Sequence, residues 1–225
     1  MLEERFIDRA DAGRKLSLKL LRFKGVDCVV YGVARGGILV GSEVAQHLSV
    51  ALDAVVVRKL GHPGNAEYAC GAITAAGDIV LKESTGGDVS AAWLDDESKR
   101  EVLEAARRDL VYMHGRIPAQ VEGKVAIVVD DGIATGLTMA AALLAVRRLN
   151  PARIVVATPV ASPTAIERLA KLADEVVTLR TPPSLRSVGQ AYVDFTQVTD
   201  EEVVKCLDSS SQTRPHGAYG AGLQA

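Results

Sequence analysis

Short apolar runs rich in valine and isoleucine constrain the fold of this 225-residue chain more than any other feature. Uninterrupted runs of this kind are typical of strands that are buried on both faces of a parallel sheet. Helical patterns follow several of them, and alternating strands and helices predict an α/β fold. The predicted strands are Asp27–Val33, Leu52–Val57, Lys124–Val129, Arg153–Pro159 and Glu175–Leu179. The predicted helices around them are Arg5–Phe23, Gly37–Leu48, Gly136–Leu149 and Pro163–Ala173.

One region, between the second and third predicted strands, breaks this alternation. It is rich in glycine from Gly61 onward, and Ala69–Ala75 with Gly77–Lys82 predict a hairpin. Ser90–Tyr112 then has the pattern of a long helix. We therefore expect an insertion over about residues 61–117 that forms a lid or hood at the carboxyl end of the sheet.

Length and composition limit the domain organisation and the partners. Residues 1–208 are expected to form one domain, and residues 209–225, rich in Ser, Gly, Ala and Gln, a disordered tail. The 26 basic and 28 acidic residues give a net charge of −2, which predicts no general attraction to nucleic acid or to a membrane surface. No secretory leader and no membrane-spanning run is apparent, and the three cysteines lack zinc or disulfide spacing, so we expect a cytoplasmic protein.

The segment after the third predicted strand carries the clearest chemical signal. Two acids follow the apolar run Ala126–Val129, and a loop of small residues then leads into a helix. Backbone N–H groups and threonine hydroxyls at a helix N-terminus bind phosphate, and glycine lets the backbone approach an anion. The acids would accept hydrogen bonds from a vicinal diol such as that of ribose. Alone, the acid pair could be a polar strand end and the loop with Thr135 could be a helix cap. Together, the acid pair and the loop predict a ribose 5-phosphate site. Its predicted residues are Asp130, Asp131, Gly132, Ile133, Ala134, Thr135, Gly136, Leu137 and Thr138.

These residues, from the apolar strand through the two acids to Thr135-Gly-Leu-Thr138, resemble the phosphoribosyl pyrophosphate (PRPP) motif of the type I phosphoribosyltransferases. The resemblance implies a Rossmann-like parallel sheet flanked by helices, with an inserted hood. It implies transfer of ribose 5-phosphate from PRPP to a small-molecule acceptor with release of pyrophosphate. It also implies Mg²⁺ bound mainly through PRPP, without a dedicated set of protein ligands, and a homodimer. Over residues 6–203 the chain is most similar to predicted bacterial phosphoribosyltransferases of unassigned acceptor, and Asp8–Gly13 is one of the shared stretches.

Two further segments acquire anion-binding roles only through this resemblance. Gly32–Gly37 would hold pyrophosphate, with a cis peptide between Ala34 and Arg35. The expected PRPP contacts there are Ala34, Arg35 and Gly36. Arg58 and Lys59, at the end of the second predicted strand, would neutralise the departing pyrophosphate and are the expected catalytic residues.

The acceptor side is less defined. Ser187–Phe195 is similar to the segment that closes the base site of purine salvage members, and Val188, Tyr192 and Asp194 are the expected acceptor contacts. The alternative is an edge strand with Tyr192 and Phe195 in the core.

The sequence also leaves alternatives open for the identity of the acceptor and for the class of activity. Ala134 occupies the position of the aspartate that handles the base proton in 6-oxopurine enzymes, which argues against hypoxanthine and guanine, although another nucleobase remains a candidate. A PRPP-sensing regulator without transferase activity, and a hydrolase acting on a ribose phosphate, are the alternative functions.

Overall fold

The structure is a computed structural model that describes residues 5–82 and 89–211. Its central sheet has five parallel strands in the order β2-β1-β6-β7-β8, which confirms the predicted α/β fold with a parallel sheet. These strands are β1 (Cys28–Val33), β2 (Ala51–Val55), β6 (Val125–Val129), β7 (Arg153–Val160) and β8 (Glu175–Arg180). The helices are α1 (Arg9–Leu20), α2 (Gly36–Leu48), α3 (Ala91–Met113), α4 (Leu137–Arg147), α5 (Pro163–Leu169) and α6 (Asp200–Ser211).

Helices cover both faces of the central sheet. Since successive strand residues point to opposite faces, both sets of side chains are buried under helices. Val30 packs into one core with α1, α2 and α6, whereas Val29 and Tyr31 pack into a second core with α4 and α5. The uninterrupted burial of β1 and the near-complete burial of β7 follow from this double cover. The carboxyl ends of β1, β6 and β7 then meet at one edge of the sheet, where ligands bind in folds of this kind.

A second, antiparallel sheet contains β3 (Val57–His62), β4 (Asn65–Thr74) and β5 (Ile79–Leu81). The hairpin prediction is confirmed as the β4–β5 pair, but the single strand predicted over Leu52–Val57 is wrong. The chain leaves the central sheet after Val55, and Val57 pairs with Thr74 in the second sheet. The apolar run continues across this break because both sheets bury their valines. This sheet and α3, within residues 57–82 and 89–113, form the inserted hood.

The predicted opening helix begins four residues late, because Asp8 caps α1 by accepting a hydrogen bond from the Asp11 backbone N–H at 2.7 Å. The preceding residues run extended to the C-terminal segment instead, where the Phe6 N–H donates to the Ala191 carbonyl at 2.8 Å. That segment contains a short 3-10 turn over Val188–Ala191, not the edge strand considered above.

Two further helices end before their predicted bounds, and one helix has no counterpart in the prediction. α4 and α5 end at Arg147 and Leu169, earlier than predicted, and α6 was not predicted at all. Because α6 continues to Ser211, residues 209–211 of the expected tail are helical, and residues 212–225 lie outside the described residues. Within the described part of the chain, no helix has both the length and the apolar character needed to cross a membrane.

Candidate functional site

Two adjacent carboxylates, Asp130 and Asp131, lie where β6 ends at the carboxyl edge of the central sheet. The Asp131 N–H donates to Asp130 Oδ1 at 2.9 Å, which fixes the first carboxylate over the strand end. Burial and the neighbouring Asp131 charge raise the pKa of Asp130 well above its ordinary value. Burial also raises the pKa of Asp131, although the nearby Arg9 guanidinium opposes this. The two groups form one negatively charged, poorly solvated pair that a diol or a cation can satisfy.

Arg9, the first residue of α1, is a site residue that sequence reasoning missed. Its Nε donates to Asp131 Oδ2 at 2.8 Å, and the two side chains are only 11% and 13% exposed. Its Nη1 donates to the Thr196 carbonyl at 2.8 Å, and its guanidinium carbon lies 4.0 Å from the Phe195 ring centroid. Arg9 therefore joins the N-terminal helix, the acid pair and the C-terminal segment. The only sequence signal was its place in the shared stretch Asp8–Gly13.

The small-residue loop after the acids is held against the end of β7. The Ile133 N–H donates to the Val160 carbonyl at 2.8 Å, and Ser162 Oγ donates to the Ala134 carbonyl at 2.6 Å. A Cβ on Gly132 would overlap the Val188 side chain, so a larger residue there must displace that side chain.

The same loop ends in an anchor suited to a phosphate. Thr135 is exposed, and Leu137 begins α4, whose first-turn N–H groups have no acceptor within the helix. Thr138 lies in that first turn and Gly136 precedes it. The Leu137 N–H makes a long hydrogen bond to Thr135 Oγ1 at 3.4 Å, and the other first-turn N–H groups with the two threonine hydroxyls provide donors for a phosphate.

The second glycine loop lies against the acid pair. Its Ala34–Arg35 peptide is cis, as the resemblance implied. Gly36 begins α2, and a Cβ at this position would overlap the Asp131 carboxylate and lie 2.8 Å from Arg9 Nε. The two loops therefore meet at Asp131. The Arg35 side chain is directed elsewhere, with Nη1 3.8 Å from Asp200 Oδ1 on α6.

Arg58 and Lys59 lie on β3 of the hood sheet, not at the end of a central strand, and the structure separates them. Arg58 Nε donates to Glu101 Oε2 on α3 at 2.6 Å. Lys59 points to the opposite face, since adjacent strand residues alternate, and its charge lowers the pKa of both Asp130 and Asp131 against the larger effect of burial. Only the lysine of this pair therefore faces the acid pair.

Of the three predicted acceptor residues, Val188 and Tyr192 come together in one apolar cluster with Phe6, and Asp194 lies apart from them. Val188 packs over Gly132, and the buried Tyr192 donates its hydroxyl hydrogen to the Asp131 carbonyl at 2.5 Å. Asp194 is exposed, and its Oδ1 accepts hydrogen bonds from the Thr196 N–H and hydroxyl, which lower its pKa. Burial of Tyr192 beside Phe6 agrees with the expectation of a core tyrosine.

Two carboxylates alone do not enclose a metal ion. Among residues 5–82 and 89–211 there is no group of three or more His, Cys, Asp or Glu side chains arranged to hold one. The oxygen donors of the acid pair suit a hard divalent cation that takes its remaining ligands from a bound phosphate compound and from water.

Comparison with known proteins gives matches to one family. The family model of the phosphoribosyl transferase domain matches residues 7–195. Proteins of two Mycobacterium tuberculosis strains, provisionally named phosphoribosyl transferases, are 42% identical over 205 residues, or 90% of this chain, which spans only 46% of their length. The crystal structure of TT1426 from Thermus thermophilus is 43% identical and covers 91% of this chain and 98% of its own, with a TM-score of 0.74.

Proposed function

Since this chain belongs to the phosphoribosyl transferase domain family, we propose that it transfers ribose 5-phosphate from PRPP to a nitrogenous small-molecule acceptor and releases pyrophosphate. The observation that carries this proposal is the meeting of two glycine loops at a carboxylate pair. One loop leads into the N-terminus of α4, the other into that of α2, and Gly36 contacts Asp131 between them. Two anion sites beside a pair of carboxylates that can accept hydrogen bonds from a diol match the 5-phosphate, the pyrophosphate and the ribose hydroxyls of PRPP.

Each part of the site has a distinct task in this reaction. The bond from ribose C1 to pyrophosphate breaks, pyrophosphate takes the electron pair, and the acceptor nitrogen forms the new bond to C1 and loses its proton to solvent. Asp130 and Asp131 would orient the ribose hydroxyls and stabilise the positive charge that develops on the ring. The loop from Gly132 to Thr138 would hold the 5-phosphate, and Lys59 would stabilise the negative charge on pyrophosphate.

Arg58 and Lys59, the expected catalytic residues, have different roles in this proposal. Lys59 acts on the reacting groups, whereas Arg58, bound to Glu101, holds β3 against α3 and so positions the hood. The hood would exclude water, which would otherwise hydrolyse the cation-like ribose.

Magnesium fits this arrangement as an ion carried by the substrate. Asp130 and Asp131 would hold it, directly or through water, and it would neutralise the pyrophosphate oxygens.

Calorimetric titration with PRPP, with and without Mg²⁺, tests the binding step. Wild-type protein is expected to bind PRPP in a Mg²⁺-dependent manner, and a variant with Asp130→Asn and Asp131→Asn should lose at least about tenfold in affinity, because charge-assisted hydrogen bonds to the ribose are lost. The matched control is Asp95→Asn with Asp96→Asn, an adjacent acid pair exposed on α3, which should bind as the wild type does. Equal loss in both variants, or no binding by folded wild type, would refute the proposal.

A second measurement separates catalysis from ligand sensing. Pyrophosphate release is followed with PRPP and a panel of nitrogenous acceptors. Lys59→Ala should lower kcat more than it raises the Kd for PRPP, because the lysine stabilises charge that develops as pyrophosphate leaves. PRPP binding without pyrophosphate release for any acceptor would instead support the regulatory function.

A further inference from the structure

A small cavity of about 110 Å³ lies at the carboxyl edge of the sheet, next to the acid pair but outside the residues assigned to PRPP. Its walls come from the end of β7, the end of β8, the segment after β8 and the extended N-terminus. Val160, Leu185 and Pro182 give it apolar surface, and Arg5, Arg180 and Gln190 give it hydrogen-bond donors.

Both arginines are available to a ligand. The Arg180 guanidinium carbon lies 4.1 Å above the Phe6 ring centroid, and this stacking leaves the N–H edge free. Arg5 makes one long hydrogen bond, from Nη1 to the Tyr192 carbonyl at 3.4 Å. Neither arginine has a carboxylate partner among the described residues, and none of the residues lining the cavity is acidic. Two guanidiniums at an uncompensated apolar cavity are suited to a carboxylate, which they can bind through charge-assisted hydrogen bonds.

The cavity is connected to the reaction site by two short paths. Val160 packs beside Gly132, the first residue of the 5-phosphate loop, where Val188 also packs. Arg180 lies near the Tyr192 ring, and the Tyr192 hydroxyl donates to the Asp131 carbonyl at 2.5 Å. A molecule seated against Arg180 is therefore adjacent to the residues that would hold the ribose.

We infer that this cavity is the acceptor subsite and that the acceptor is a monocyclic or smaller nitrogen compound bearing a carboxylate, which Arg180 and Arg5 bind. This inference rests on the proposed transferase function. The volume supports a small acceptor, because it is below the volume of about 150 Å³ that encloses one benzene ring, so a monocyclic acid would place its carboxylate and part of its ring in the cavity and the rest of the ring at the open side. The cavity would hold a smaller part of a bicyclic purine, and Ala134 stands at the position of the purine-handling aspartate, so both observations favour the smaller acceptor.

Calorimetric titration with acid and neutral partners of similar shape tests the inference. The pairs are benzoate with benzamide, nicotinate with nicotinamide, and orotate with uracil, each added to the protein alone and to its complex with PRPP and Mg²⁺. At least one acid is expected to bind about tenfold or more tightly than its neutral partner. Arg180→Gln should abolish that preference, and Arg186→Gln, an exposed arginine of the same segment that does not line the cavity, should retain it.

The outcomes are distinct. Equal binding of acids and neutral partners, no binding of any pair member, or a preference that survives in Arg180→Gln would overturn the inference. Binding of acetate as tight as that of benzoate would also overturn it, since the cavity would then be a general anion site. PRPP binding is measured in the same variants: if it persists while the acid preference is absent, only the subsite assignment fails. If PRPP does not bind to the wild type, the transferase proposal fails independently of the acid–neutral comparison.

Discussion

Replacement of Arg9 by alanine is the most informative single perturbation of this protein, because Arg9 compensates a buried carboxylate at the proposed ribose site. The change removes the hydrogen bonds to Asp131 Oδ2 and to the Thr196 carbonyl, both 2.8 Å long, and the stacking on Phe195. Asp131 would be left beside Asp130 with Lys59 as the remaining nearby cation. Its ionised form would then be far less stable in the folded protein.

The magnitude follows from the burial of the pair. Removing one partner of a buried ion pair costs about 3–5 kcal/mol, whereas exposed pairs contribute about 0–1 kcal/mol. Because Arg9 and Asp131 are 11% and 13% exposed, we expect Arg9→Ala to lower the free energy of unfolding by an amount near the lower end of that range, about 3 kcal/mol. The unfolded chains titrate alike, so the cost depends on the folded-state pKa of Asp131, which burial raises above its ordinary value in the wild type and which loss of Arg9 would raise further. The cost should be full where Asp131 is ionised in both folded proteins, and it should disappear as the pH falls through these raised values, where Asp131 becomes protonated in the folded state.

Urea unfolding of a double-mutant cycle measures this effect. The cycle contains Arg9→Ala, Asp131→Asn and both together, and the double variant should be about 1–3 kcal/mol more stable than the sum of the single changes predicts. Arg14→Ala is the control, since this α1 arginine is 50% exposed and its Nη1 lies 3.5 Å from Glu43 Oε1. If Arg9→Ala costs no more than Arg14→Ala, or if the cycle is additive, Arg9 does not compensate Asp131 and the reasoning is refuted.

Three other changes test the remaining contacts of the acid pair and its loop. Gly132→Ala should cost about 1–3 kcal/mol in urea unfolding and weaken PRPP binding in calorimetry, because the added methyl group overlaps Val188; wild-type behaviour would mean that the loop adapts freely. Tyr192→Phe should lower the unfolding free energy by about 0.5–1.5 kcal/mol through loss of its hydrogen bond to the Asp131 carbonyl; an unchanged melting temperature would contradict that bond. Asp130→Asn should stabilise the protein at neutral pH, because the pKa of Asp130 is raised in the folded state and burial penalises its ionised form. The gain in stability should vanish as the pH falls towards 3.8, where Asp130 is protonated in both the folded and the unfolded chain. Melting temperatures at a series of pH values test this, and a variant that is less stable than the wild type at neutral pH would refute it.

The parts of the fold that sequence alone predicted correctly are those set by local hydrophobic patterns. β1 and β6 begin within one residue of their predicted starts, because each is buried on both faces and bounded by polar residues. The acid pair and its loop were also accessible, since all their chemistry lies within nine consecutive residues.

The features that sequence reasoning missed depend on contacts between distant segments or on a weak local signal. Arg9 and Asp131 are 122 residues apart, and nothing near Arg9 indicates its partner. α6 did have a local signal: the Thr199 N–H donates to Glu202 Oε2 and Thr199 Oγ1 accepts from the Glu202 N–H, which is the capping box that begins many helices. The opposite orientations of Arg58 and Lys59 were also predictable from strand alternation, once the run was known to be a strand.

The contacts behind the acid pair give the N-terminal residues and the segment between β8 and α6 a direct part in the site. Phe6 pairs with Tyr192, whose hydroxyl binds the Asp131 carbonyl, while Arg9 binds the Asp131 carboxylate and the Thr196 carbonyl. Both sides of Asp131 are thus held by segments that lie far from the motif in sequence. A motif of nine residues supplies the groups that would bind ribose phosphate, but their position and charge depend on an arginine and a tyrosine that only the folded chain brings to them.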